Sequence, residues 1–382
     1  MVPLRLLTIL RSILNHTTVK VNYLKGLDTL RAIASLIVVW CHIEVIKRSL
    51  SIPNLYDKKA IFFPSGHYSV VLFFVLSGFL ITYLLVREKE KTGVISLRKF
   101  YMRRILRIWP LYYTVILLSY FLIDANYTSR AIVLCLSIFP NIATALGEGW
   151  PTSPQIWSIG VEEQFYLFWP LVLLLLPEKK VIIGLILFFI GYSIFPYLFG
   201  LINSIVFQNE HVGKIIYKFF FDTKFNCMAI GSLMGYSFAR GKIWTKKLGN
   251  DVLVIILILL SFGLWFFRFK LSYFTDEIFA VLFSMMIVGI VSCERINIEN
   301  KLLRFLGKVS YGIYMYHWIV ILIVSKYIKY DDNDLVYNLK LYLTVIASTI
   351  LISWISYNTL ERFFLNIKKR YEIENNNTQH TT

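Results

Sequence analysis

Acidic charge is scarce in this chain. Only 23 Asp and Glu stand against 40 Lys and Arg among 382 residues, and charged residues together make up 16%. With 57% hydrophobic residues and a mean hydropathy of +0.61, the remaining class is an α-helical polytopic membrane protein. The alternating ten-residue segments of a transmembrane β-barrel are missing, which excludes that architecture. Cysteine is sparse too. Cys41, Cys135, Cys227 and Cys293 fall in or at the end of apolar runs without CxxC or metal-ligand spacing, so they read as small core residues with no disulfide, zinc or other metal role. No GxSxG, Walker loop, HExxH or dinucleotide fingerprint occurs, and no repeat of 20–50 residues.

What is abundant is basic charge, a formal net +17. The Lys and Arg sit mostly in short loops between apolar runs, so positive-inside topology accounts for them and nucleic acid does not. Residues 1–22 read as an amphipathic cytoplasmic segment, without the small-residue cleavage site of a signal peptide. Apolar segments follow at about 30–47, 67–86, 108–124, 130–146, 157–177, 181–200, 222–239, 251–268, 276–293, 304–328 and 340–360. The basic loops at 87–107, 178–180, 240–247, 294–308 and 362–370 belong on the cytoplasmic side. Three apolar segments lie between the first two of these loops, where an even number of crossings is required. The weakest, 130–146, is broken by Pro140-Asn141 and reads as re-entrant or interfacial. The expectation is an all-α bundle of about ten transmembrane helices over residues 23–363, both ends cytoplasmic, with a basic and polar tail at 364–382 whose NNNTQHTT end is disordered.

The stretch Gly26–Glu44, GLDTLRAIASLIVVWCHIE, organises the rest. Arg31 and His42 are eleven residues apart, about 1100° around a helix, so within roughly 20° of one face and about 16 Å along it. Ionisable groups at such depth are functional candidates by default, against an interfacial Arg and a core His as the bland alternative. Glu162 and Glu163 open a helix running inward from the outer side, near enough in depth to His42 for one of them to fix its tautomer. Alternatively they serve only the helix dipole. Arg104 and Arg107, at i and i+3, share a face at the cytoplasmic edge and suit bidentate capture of phosphate, or else form an ordinary positive-inside anchor that also meets lipid headgroups. His317 lies among aromatics in a late span and reads more readily as a satisfied core histidine than as a catalyst. The residues by themselves describe a two-sided protein that moves a group or a solute across the bilayer.

Six motifs in order decide between those: GLDTLRAIA with Arg31-x10-His42, FFVLSGFLIT, FYMRRILRIWPLYY, WSIGVEEQFYLFWPLVLLL, LGKVSYGIYMYHW, and LER at 360–362. Over about residues 23–363 this series resembles the acyltransferase-3 family of bacterial integral-membrane O-acyltransferases. The resemblance implies transfer of an acyl group, most often acetyl, from cytoplasmic acetyl-CoA to a hydroxyl of an extracytoplasmic or lipid-linked polysaccharide, in a multi-pass protein of the bacterial cytoplasmic membrane. It makes His42 the essential histidine, Arg31 its partner, Arg104 and Arg107 the acyl-CoA pair, and Glu162 and Glu163 the acidic pair. Departures are Ser69-Val70-Val71 where Gly-Val-Asp is common, Ile319 after His317-Trp318, and Phe363 after Glu361-Arg362, the last two where proline is usual. His42 is expected to act as general base, or to carry the acyl group itself as a relay. A chain ending soon after its last span is expected to complete the transfer itself or hand it to a separate partner. The rival is a transporter relaying solute or protons through Arg31, His42, Glu162 and His317, which the absence of inverted repeats disfavours.

Overall fold

A computed structural model describes residues 23–58, 62–330 and 333–372; the expected amphipathic segment before residue 23 and the NNNTQHTT end lie outside the described residues. Among the described residues all regular structure is helical, in fifteen α-helices: α1 Leu27–Ser49, α2 Gly66–Thr92, α3 Leu97–Leu122, α4 Ser129–Leu136, α5 Pro140–Ala145, α6 Trp157–Leu175, α7 Glu178–Ile202, α8 Glu210–Thr223, α9 Phe225–Ala239, α10 Ile243–Lys247, α11 Asp251–Phe266, α12 Thr275–Ser292, α13 Lys301–Tyr327, α14 Asp334–Ser356 and α15 Arg362–Lys368. The boundaries have local causes. Side chains of Ser96, Thr128, Asn209, Asn250, Asn300 and Asn333 accept from backbone N–H groups in the first turns of the helices they precede. Gly26 enters α1 at φ 87, a conformation few other residues adopt, and Asp28 and Lys47-Arg48 complement the dipole at its two ends.

Eight of these helices, some with their flanking turns, are long and apolar enough to cross a membrane: α1, α2, α3, α6, α7, α12, α13 and α14. The protein is a polytopic helix bundle. Two of the expected spans appear as shorter helices, α9 with 15 residues and α11 with 16, rising only about 23–24 Å at 1.5 Å per residue. The segment expected to be re-entrant is the broken pair α4–α5. Side chains of α3 tie it down: Tyr112 and Tyr113 donate to the carbonyls of Cys135 and Leu136 at 2.7 and 2.9 Å. Asn141 exchanges amide hydrogen bonds with Gln164 of α6 at 2.8 and 3.1 Å.

The loops read as cytoplasmic meet on one face. Arg240 pairs with Glu178 at 2.7 Å, Lys89 with Glu178 at 3.1 Å, and Arg103 with Glu88 at 2.6 Å. At the centre α2 and α9 cross with backbones in contact. A Cβ at Gly78 would meet the Met228 carbonyl, and Cβ atoms at Gly231 and Gly235 the carbonyls of Val75 and Phe79. α1 and α13 run parallel, Gly307 against Asp28 at one end and His317 against His42 further along. Apolar residues such as Leu187, Leu259 and Leu343 face outward on α7, α11 and α14, where lipid would lie.

Candidate active site

A cavity of about 450 Å³ penetrates the bundle from the basic face. Its entrance is set by α1, α3, α13 and α15, which contribute Arg31, Arg104, Arg107, Lys308 and Lys368; only two carboxylates, Asp28 and Glu162, line it as well. Five cations against two carboxylates make an anion-seeking funnel. Arg104 has no carboxylate partner among the described residues. Its guanidinium lies over Phe100 and Tyr166, 5.8 and 5.7 Å from the ring centroids, and its Nε is buried without a hydrogen bond. Arg107 is committed differently, to Glu361 at 3.0 Å, so the LER motif closes onto the arginine pair. Arg31 is held loosely by Asp28 at 3.7 Å.

Further in, the walls become aromatic and small: Phe73, Phe74 and Ser77 of α2, Ser158 of α6, Tyr311 and Tyr314 of α13. Glu162 accepts from Ser77 at 3.0 Å and Tyr166 at 2.8 Å. Glu163 points elsewhere and accepts from the Trp109 indole at 2.7 Å. Neither carboxylate is bonded to His42, whose side-chain partner is another residue.

That residue is His317. His42 Nδ1 and His317 Nε2 are 2.7 Å apart, and His317 Nδ1 lies 2.6 Å from the Tyr314 carbonyl. A carbonyl only accepts, so His317 Nδ1 carries a proton, and in the neutral ring Nε2 is then the acceptor. His42 Nδ1 must donate to it, which leaves the lone pair on His42 Nε2. The chain from Tyr314 through His317 to His42 therefore fixes one tautomer, with the basic nitrogen at its free end. His317 is fully buried, and Trp318 packs edge-on against His42 with ring centroids 4.8 Å apart, its own indole N–H buried and unpaired.

Thus Arg31, Arg104, Arg107 and Glu162 share one cavity. His42 is not among the lining residues and joins them through His317, one helical turn of α13 from the lining residue Tyr314; Glu163 does not line the cavity either. Two participants were not assigned these places in the sequence. His317 resembles a lone core histidine until α1 and α13 are known to run side by side. Glu361 is separated from Arg107 by 254 positions. The only local signal was that both sit in motifs.

The model of a protein family described as an acyltransferase domain, acyltransferase 3, matches residues 24–358. A Staphylococcus aureus (strain COL) protein named "Putative O-acetyltransferase" is 30% identical over 90% of this chain and 58% of its own length. O-acetyltransferase OatA of S. aureus (strain NCTC 8325 / PS 47) is 28% identical over 89% of this chain and 57% of its own. An uncharacterized Haemophilus influenzae protein is 34% identical over 51% of this chain and 85% of its own. The chain thus spans rather more than half the length of the two S. aureus relatives, and no solved structure matches it.

Proposed function

We propose that this chain, which belongs to the acyltransferase-3 family, is a multi-pass O-acyltransferase that takes an acyl group, acetyl before any other, from acetyl-CoA on the basic face and transfers it to a hydroxyl of a glycan on the opposite face. The observation that carries the reading is the arginine-lined cavity leading from the basic face to the Tyr314–His317–His42 chain. Residues 23–363 are the transferase domain, set in the bacterial cytoplasmic membrane with the basic face toward the cytoplasm. α9 and α11 complete ten crossings in this arrangement, at the cost of local bilayer thinning.

Arg104 is the natural seat for a CoA phosphate: a guanidinium without a carboxylate partner, stacked on two rings. The pantetheine arm follows the cavity inward past Ser77 and Ser158, and the thioester comes to rest near Tyr314. As the acceptor oxygen attacks the thioester carbonyl, its proton passes to His42 Nε2. The tetrahedral intermediate then expels the CoA thiolate by breaking the C–S bond, and the imidazolium returns the proton to sulfur. Arg31 at the entrance and Glu162 further in give the path its polar side, and Glu163 fixes α6 against α3 through Trp109.

The test is release of free CoA and transfer of label from radiolabelled acetyl-CoA by purified protein in nanodiscs, with crude cell-surface glycan as acceptor. Both depend on His42 and disappear in His42→Ala. Label retained on the wild-type protein without acceptor assigns the relay form, in which His42 itself is acetylated. Full activity in a well-folded His42→Ala refutes the mechanism, and no turnover of any acyl-CoA refutes the function.

A further inference from the structure

A second cavity, of about 480 Å³, lies on the face opposite the basic loops, where the ends of α7, α8 and α11 meet the starts of α2, α9 and α12. Its rim is aromatic. Tyr197 packs on Tyr273 at 5.2 Å and on Tyr217 at 6.4 Å between centroids, and Tyr217 stacks on Phe221 at 5.8 Å. Its floor is polar. His67 Nε2 bonds Asp276 at 2.7 Å, Lys224 pairs with the other oxygen of Asp276, and Asn226 donates to Glu277 at 2.7 Å.

Three of the six non-glycine residues with positive φ among the described ones line this cavity: Lys224 at 50°, Arg268 at 54° and Phe274 at 58°. Left-handed backbone at such residues is costly, and it concentrates where a site must be shaped. Here it turns Lys224 under the rim, onto the Phe221 ring and Asp276.

The chemistry selects among occupants. An apolar ligand would strand the buried ion pairs of the floor away from water. Cations line the cavity as well, Lys270 and, over the Tyr56 and Phe63 rings, Arg268, so charge alone does not exclude a phosphate. At the floor one would meet Asp276 and Glu277, where the Lys224 charge is already paired. A neutral sugar satisfies both halves, its C–H face on the rings and its hydroxyls on the carboxylates, amide and imidazole. The α2 wall of the cavity also adjoins the reactive centre. The Cys41 thiol, one residue before His42, donates to the Pro64 carbonyl at 3.2 Å, and Gly66 packs on Cys41.

We propose that this cavity binds a neutral oligosaccharide segment of the acceptor and holds it on the side of the membrane where His42 works. The inference rests on the transferase reading, but its test does not need turnover. Maltopentaose and chitopentaose are titrated into the full-length protein in nanodiscs without acetyl-CoA, and binding is followed by calorimetry and saturation-transfer NMR. At least one binds saturably, with ring protons in contact with aromatic side chains. Tyr273→Ala, at a residue 61% exposed and so tolerant of truncation, weakens binding about tenfold, and Tyr197→Ala/Tyr273→Ala by more. Lipid-facing Leu187→Ala leaves it unchanged. Absence of saturable binding by either oligosaccharide, or equal affinity in the Tyr273 variant, overturns the site. Either failure leaves the transferase reading to the acetyl-CoA experiment, whose own failure would be seen whatever the sugars do.

Discussion

Removing His317 separates the role of the chain from that of the base. His317→Ala deletes the partner of a 2.7 Å hydrogen bond inside a fully buried pocket and leaves the His42 ring free to rotate and to take either tautomer. Losing one such bond and stranding its buried partner is worth about 1–3 kcal/mol. If that energy is spent holding Nε2 toward the acceptor, kcat falls about 5- to 150-fold, with little change in the KM for acetyl-CoA. His317→Gln retains an amide near the Nε2 position and recovers part of the loss. The double variant with His42→Ala is no slower than His42→Ala alone, since the two residues act as one unit. The assay is initial-rate CoA release at saturating acetyl-CoA, on protein with an unchanged unfolding transition. Wild-type kcat in His317→Ala, or a further loss in the double variant, refutes the chain.

Arg104→Ala raises the KM for acetyl-CoA about tenfold or more, and Arg104→Lys restores little because an ammonium lacks the guanidinium fork; steady-state kinetics against donor concentration decide. Arg103→Ala leaves buried Glu88 without its cation and destabilises the protein by about 3 kcal/mol, read from chemical unfolding in detergent. Gly231→Val drives a side chain into the Val75 carbonyl and abolishes the folded, monodisperse product on size-exclusion chromatography. Gly191→Val, where a Cβ meets nothing within 4 Å, is tolerated.

The legible part of the molecule is what helices and charge write locally. Arg31, Arg104 and Arg107 were visible because helical spacing fixes which side chains share a face, and the convergence of loops at Glu88, Glu178 and Arg240 follows the positive-inside pattern. Ten spans were expected where eight qualify by length. A run of apolar residues does not tell how late Lys224 lets α9 begin or how early Phe267 ends α11. The orienting partner of His42 was sought in Glu162 and Glu163 because they lie at a suitable depth. Depth is one coordinate only, and the lateral neighbour is decided by α1 and α13 lying parallel. The outer cavity left no motif at all, since its walls are gathered from four separate stretches of the chain.

The inner end of the first cavity is bolted. The Ser158 and Tyr314 hydroxyls are 2.7 Å apart, Tyr314 also reaches the Gln155 carbonyl at 3.1 Å, and Gln155 returns an amide bond to the Met315 carbonyl at 2.9 Å, all of them buried. The consequence is electrical. Under the proposed transfer, a bundle drawing a reactant from one compartment and serving another risks becoming a leak for the ion gradient the membrane maintains. These bonds occupy the groups on which a file of water would otherwise condense, so a small acyl group can be presented at the boundary while hydrated ions find no continuous wire.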